Sequence, residues 1–387
     1  PRAPRTPTRS PLMPAPWLII SKPLRAPFRD GSTVLIRDLV RALPPERRVV
    51  HLGDPARPLR ADTEVIDIPA MGYSPGLWAK VRVLAAMLHP RRRHMPVQLC
   101  FTPNPITSRA VALLRFLQPR RLFVQSLMSA HGAEGWVPLL RPLDAVVVLS
   151  QHTERRLIAA GVPAEKLHRI YPAVAAAAPD PPAEVAARRR LLYAGDLDAE
   201  VAARLIALAR ALHLTHSTSI PTARWSLTIA CRPKSEGDAA AREALRAALP
   251  GELAAGTVEL LGEVDDMDAL LRSASLQLYA ADHVRRKVDL PLVLLEGLAR
   301  GVPVVAVDAD PVRELYAVAA RHDLAVGTAV PAAPEAFARA VLGLLTPHNL
   351  QASSAAAAVL AAREFSLDVM ARCYGALHAA LETERAG

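Results

Sequence analysis

Apolar runs of three to five residues recur along this chain with helical stretches between them, and the alternation happens twice. In the first half the runs are Trp17 to Ile20, Val49 to Leu52, Val65 to Ile68, Val97 to Phe101, Leu122 to Val124 and Ala145 to Leu149. Helix-like segments separate them at Ser32 to Leu43, Leu77 to Leu88, Thr107 to Leu117 and Thr153 to Ala160. Short runs that are apolar throughout belong to strands covered on both faces, and a helix between successive strands implies parallel pairing. A second series starts at Leu191, with strands predicted at Leu191 to Ala194, Ser226 to Ala230, Thr257 to Leu261, Leu276 to Tyr279 and Val304 to Val307. Its helices are expected at Glu200 to Leu212, Asp238 to Ala248, Asp266 to Ser273 and Leu292 to Arg300. The predicted class is α/β, with two doubly wound Rossmann-like domains. The first spans residues 1–172 and the second 188–364, joined by Ala173 to Ala187, a stretch without strand pattern that reads as a linker. Residues 365–387 form a last element, amphipathic from Phe365 to Glu384.

A length of 387 residues, 51% of them hydrophobic, supports two cores. Cys100, Cys231 and Cys373 are odd in number and widely spaced, which argues for a reducing compartment and against a disulfide or zinc framework, so the expected location is cytoplasmic. No apolar run approaches the roughly 20 residues that span a bilayer, and Pro1 to Pro16 lacks the apolar core of a signal peptide. Charge is uneven. Residues 1–180 hold 26 Lys and Arg against 12 Asp and Glu, a balance of +14, while the remainder holds 21 against 25, or −4. That asymmetry either reflects the Ala, Arg and Pro bias of the chain or points the first half at an anionic partner, such as a phospholipid surface, a lipid diphosphate or an acidic glycan. Nucleic acid is disfavoured, because aromatics are only 4% of residues and no nucleic-acid module accompanies the charge.

The richest segment is Lys287 to Asp308, K-V-D-L-P-L-V-L-L-E-G-L-A-R-G-V-P-V-V-A-V-D. It reads as a helix, a tight turn at Gly301 and Pro303, and a buried strand. Glu296 stands alone among Leu292, Val293, Leu294, Leu295 and Leu298, where a carboxylate needs a cleft or a partner. This segment resembles the nucleotide-binding part of the GT-B glycosyltransferases of retaining family 4, the glycosyl transferases group 1, in which two Glu eight positions apart precede a small-residue helix and G-x-P-V-V. Val258 to Ala280 adds a second likeness to that family's second domain. The resemblance implies two domains facing a central cleft, with the last helix crossing back to the first domain. It implies that Glu296 accepts hydrogen bonds from the donor's ribose hydroxyls, while the helix amino end faces the phosphates. The first Glu of the pair is absent: Val288 holds its position, and Asp289, one residue late, is the carboxylate offered the role of contacting the donor sugar. His131, in Q-S-L-M-S-A-H, is the imidazole nearest the place where relatives carry a His facing that sugar.

Transfer from a nucleotide sugar needs its leaving diphosphate held by cations or backbone amides. Relatives often place Gly-Arg and a Lys after the second domain's first strand. This chain has Y-A-G-D-L-D-A-E instead, with Asp196 and Asp198. The candidates for the phosphates are Arg232 and Lys234 after one strand, and Lys287, with Arg285 and Arg286, before Glu296. In the first domain Gly31, just before a helix start expected to be capped by Ser32 or Thr33, could admit phosphate or sugar closely or serve a plain strand-to-helix turn, and Asn104 and Thr102 could bond a sugar hydroxyl or simply serve a turn. There is no G-x-G-x-x-G, G-x-x-x-x-G-K-[ST], G-x-S-x-G or H-E-x-x-H, and no His and carboxylate spacing suited to a metal, so neither a cofactor nor a metal is expected.

The expected function is transfer of a sugar from a nucleoside diphosphate sugar, with retention, to a glycan, lipid-linked or small-molecule acceptor, as in polysaccharide biosynthesis. A non-catalytic nucleotide-sugar-binding or scaffold protein is the alternative, and an epimerase of the same fold a third option. Leu77, Trp78, Val81, Leu84, Ala85 and Leu88 fall on one helical side with Arg91 to Arg93 just beyond. That segment is either a core helix with a basic end or a contact with anionic membrane at the inner face.

Overall fold

The computed structural model describes residues 16–28, 30–69, 76–129, 132–218, 225–284 and 288–386. The first domain contains β1 (Trp17–Leu24), α1 (Gly31–Ala42), β2 (Val49–Gly53), β3 (Glu64–Asp67), α2 (Leu77–Leu88), β4 (Val97–Leu99) and α3 (Pro105–Leu117). It continues through β5 (Phe123–Leu127), α4 (Val137–Leu140), β6 (Ala145–Val148), α5 (Gln151–Ala159) and β7 (Leu167–Arg169). These strands form one parallel sheet in the order β3-β2-β1-β4-β5-β6-β7.

The second domain opens with α6 (Pro182–Ala187), β8 (Arg190–Ala194), α7 (Ala199–Thr218), β9 (Ser226–Ala230), α8 (Glu236–Ala248), α9 (Pro250–Ala254), β10 (Val258–Leu261) and α10 (Met267–Arg272). It then runs through β11 (Leu276–Tyr279), α11 (Leu292–Ala299), β12 (Val304–Val307), α12 (Arg313–Ala320), β13 (Gly327–Val330) and α13 (Pro334–Leu344). Its parallel sheet has the order β10-β9-β8-β11-β12-β13. Strand order reverses between β1 and β4 in one sheet and between β8 and β11 in the other, and such reversals open a crevice at the carboxyl ends of the strands. The loops that follow β1 and β11, at these two reversals, touch across the domains at Gly31 and Val288.

Two helices close the chain, α14 (Pro347–Glu364) and α15 (Leu367–Ala386). At the join, Val174 donates to the carbonyl of Phe365 at 2.9 Å. α15 then lies on the first domain beside α1. Trp17 Nε1 donates to Glu382 at 2.8 Å, the Trp17 and His378 rings stack 3.5 Å apart, and the Tyr374 hydroxyl meets Ser126 at 2.9 Å. Residues 173–187 are less of a linker than their composition suggests. α6 packs on α14, and Asp180 is held by Arg188 at 2.5 Å and Arg272 at 2.7 Å.

Candidate functional site

The loops that leave the carboxyl ends of β1, β6 and β11 meet between the domains. The loop after β1 leads into α1, whose cap Asp30 accepts from Thr33 N at 3.0 Å. A Cβ at Gly31 would lie 3.5 Å from Val288 and 3.8 Å from Leu292, so this glycine sits against the start of α11 across the interface. No side chain caps the amino end of α11. An uncapped helix start at a strand-order reversal offers unpaired N–H groups and a positive dipole end to an anion.

Glu296 lies one turn into α11, partly buried, and no side chain among the described residues bonds its carboxylate. Burial pushes its pKa up. Arg300 and Arg37 pull the other way, while Asp38 and Asp268 add to the rise. Arg37 and Asp38 belong to α1, where they pair with each other at 2.7 Å, and their influence on Glu296 places that carboxylate within electrostatic reach of the first domain. The helix is positioned by Gln277 of β11, whose amide donates to Leu294 O at 3.2 Å and Val302 O at 3.3 Å. Gly297 faces that amide; a Cβ there would stand 1.9 Å from Gln277 Nε2. Only a glycine lets α11 approach β11 this closely.

Asp289 is buried and serves the domain interface. Its Oδ2 accepts from Ser150 Oγ at 2.5 Å and Thr153 Oγ1 at 2.6 Å, both at the start of α5, and its backbone N–H donates to Met128 O at 2.9 Å. Burial raises its carboxyl to about 6 against the opposing pull of those two hydroxyls. Beside it, Glu314 of α12 accepts from the backbone N–H groups of Gln151 at 2.7 Å and His152 at 3.4 Å, and from the Tyr171 hydroxyl at 2.8 Å. Two carboxylates of the second domain thus clasp the positive end of α5. Glu314 was invisible in sequence: a single Glu in R-E-L-Y reads as a surface residue, and only its burial betrays the contact.

The other predicted residues are more dispersed. Lys234 follows β9 and pairs with Asp196, after β8, at 2.8 Å; Arg232 is exposed and pairs with Glu263 at 3.1 Å. His283 and Asp198 meet at 3.2 Å at the same rim. These groups form a rim of mixed charge in the second domain's crevice, with no excess of cations among the described residues. Asn104 follows β4 and caps α3, its Oδ1 accepting from Thr107 N at 3.0 Å and Thr107 Oγ1 at 3.1 Å. Its carbonyl is therefore committed to the turn. His131 and Lys287, with Arg285 and Arg286, lie outside the described residues. Among the described residues no group of three or more His, Cys, Asp or Glu is arranged to hold a metal ion, and no helix is long and apolar enough to cross a membrane.

No curated protein matches the chain. Among solved structures it is similar to HepE of Anabaena in complex with UDP and glucose, with a TM-score of 0.64 and 15% identity over 95% of this chain and 100% of that one. It is also similar to a glycosyltransferase from Rickettsia africae, at 0.67 and 12% over 95% and 98%. A UDP-forming trehalose-phosphate synthase from Burkholderia xenovorans, in complex with glucose-6-phosphate, gives 0.66 and 12% over 94% and 100%. Identities this low speak for the fold alone, two parallel-sheet domains of the GT-B kind. Residues 188–347, the body of the second domain and the whole of the Glu296 helix, match the family model described as glycosyl transferases group 1.

Proposed function

We propose that this chain is a glycosyltransferase of retaining family 4 that binds a nucleoside diphosphate sugar against α11 and passes the sugar to an acceptor in the interdomain cleft. The bond between the sugar's anomeric carbon and the diphosphate oxygen breaks, a bond to the acceptor oxygen forms on the same face, and the acceptor's hydroxyl proton leaves with the released nucleoside diphosphate. The observation that carries this reading is Glu296: a partly buried carboxylate, without a hydrogen-bond partner among the described residues, one turn into an uncapped helix. A carboxylate held in that way suits two ribose hydroxyls, and the helix start beyond it suits phosphate. Relatives of the same fold were solved with UDP and glucose, or with UDP-glucose, bound. The acceptor is taken to be a glycan, a lipid-linked sugar or a small molecule met at the inner membrane face. Asp289 acts here as a positioning residue, and His131 and Lys287 remain the proposed groups for donor sugar and phosphate.

Isothermal titration with uridine, guanosine and adenosine diphosphates tests the reading. One of them should bind, and Glu296→Gln should weaken it about 10- to 100-fold, the equivalent of a charge-assisted contact worth roughly 1.5 to 3 kcal/mol. An unchanged dissociation constant in a folded variant removes the central residue of the proposal. A second reading, a nucleotide-sugar-binding protein without transfer, is favoured by one observation: Lys234 is tied to Asp196, where relatives have cations. Nucleotide binding without turnover of any donor across a broad acceptor panel would select it.

A further inference from the structure

One flank of the first domain turns large apolar side chains outward. α2 and α3 lie on the same face of the sheet, with Met87 of α2 and Val111 and Leu114 of α3 buried in one shared core. Their outer sides are bare: Trp78 is 75% exposed and Phe116 82%. Leu88, Leu113 and Leu117 are exposed as well. Arg121 ties the carboxyl ends of the two helices together, donating to Met87 O at 2.7 Å, Arg92 O at 3.1 Å and Gln118 Oε1 at 3.0 Å. Leu88 therefore shares one end of the flank with Phe116 and Leu117. A single exposed leucine needs no account, but a run of them with Trp and Phe on adjoining helices marks a contact surface.

The charge on this flank says what covers it. Neither helix contains an Asp or Glu. Arg92 and Arg115 are paired with Glu64 and Asp144. Lys80, Arg82, Arg91, Arg109 and Arg120 have no ion pair among the described residues. Aromatic and aliphatic side chains among unpaired cations, with no anion between them, match the layering of an anionic bilayer: the rings and leucines enter the acyl boundary while the guanidinium groups stay with phosphate. Both helices begin at the carboxyl edge of the sheet, the edge that bears the cleft.

We propose that the outer faces of α2 and α3 dock this chain on an anionic phospholipid bilayer, with the mouth of the cleft beside the membrane surface. Docking is separable from donor chemistry, since vesicle binding reads the one and nucleotide titration the other. The full chain should co-sediment with phosphatidylcholine vesicles that contain phosphatidylglycerol, sediment little with phosphatidylcholine alone, and be released as salt is raised. Trp78→Ser and Phe116→Ser, at positions too exposed to disturb folding, should each lower partitioning about tenfold. Arg109→Gln and Arg120→Gln should each lower it about fivefold, on anionic vesicles only. No sedimentation at low ionic strength overturns the proposal, as does equal sedimentation of the Trp78→Ser, Phe116→Ser double variant. A parent dimer in analytical ultracentrifugation that the same double variant dissociates also overturns it, by assigning the flank to a second copy of the chain.

Discussion

Replacing Asp289 by Asn isolates the electrostatic character of the domain interface. The carboxyl is buried and receives two neutral hydroxyl donors, Ser150 and Thr153, while no cation among the described residues bonds it. Neutral dipoles offset only part of the penalty for burying a charge, which is why the group is raised from the ordinary 3.8 to about 6. At about 1.4 kcal/mol for each pH unit, that interval corresponds to about 3 kcal/mol. The sign follows from proton uptake. Between pH 4 and 6 the folded chain holds a proton on Asp289 that the unfolded chain has released, so the protonated group's contribution is fully present below 3.8 and is lost as pH rises through about 6. Asp289→Asn has no such loss, and its amide oxygen can still accept from both hydroxyls. Urea unfolding of parent and variant at pH 4 and pH 8 should therefore show the variant gaining about 2.4 kcal/mol relative to the parent between the two conditions, since the unfolded carboxyl is still partly protonated at pH 4, with other titrating groups cancelling in the difference. A difference that does not change with pH would mean the carboxyl titrates at its ordinary place, and the account of its burial would fail.

Glu314→Ala removes the shared acceptor of Gln151 N, His152 N and the Tyr171 hydroxyl, so the domains should separate more readily, at a cost of roughly 3 to 6 kcal/mol. Small-angle scattering should show a larger radius of gyration, and an unaltered profile would deny Glu314 its role in the clasp. Gly327→Ala should destabilise the second domain by about 4 kcal/mol or more, because the backbone stands at φ +131° and a Cβ would lie 1.8 Å from Val304 O in the neighbouring strand; a thermal melt equal to the parent's would refute this. Arg232→Gln combined with Lys234→Gln should weaken a nucleoside diphosphate about tenfold while leaving the nucleoside itself unaffected, as titration with both ligands will tell. If the two ligands weaken equally, those cations do not face phosphate.

The strands whose limits were most legible in sequence lie inside the sheets. Ser226 to Ala230, Leu276 to Tyr279 and Val304 to Val307 stand as the runs mark them, since apolar residues dominate a central parallel strand and the polar Thr228 and Gln277 within them are buried too. Two of the four edge strands escaped, while β3 and β10 were marked by their apolar residues. β7, with His168 and Arg169, and β13, which begins at Gly327 and Thr328, are short and lack a continuous apolar run. The site divides in the same way. Glu296 was conspicuous because its surroundings in the chain are apolar, whereas the clasp of Asp289 and Glu314 on α5 is made by residues more than a hundred positions apart, each ordinary beside its own neighbours. Of the helix from Leu77 to Leu88 the sequence supplied the apolar side, but not that this side faces outward.

The placement of α15 has a consequence for synthesis. Trp17, fully buried on β1, finds its indole partner in Glu382 and its stacking partner in His378, and Ser126 and Gln98 likewise meet Tyr374 and His378. The domain that leaves the ribosome first is thus completed by a helix translated after the whole second domain. Until then the face of β1 and α1 that α15 will cover is open to solvent and to other nascent chains. At roughly 5 to 20 residues per second, that exposure lasts on the order of tens of seconds, a window in which a chaperone that shields apolar surface would find its substrate on the amino-terminal half of this chain.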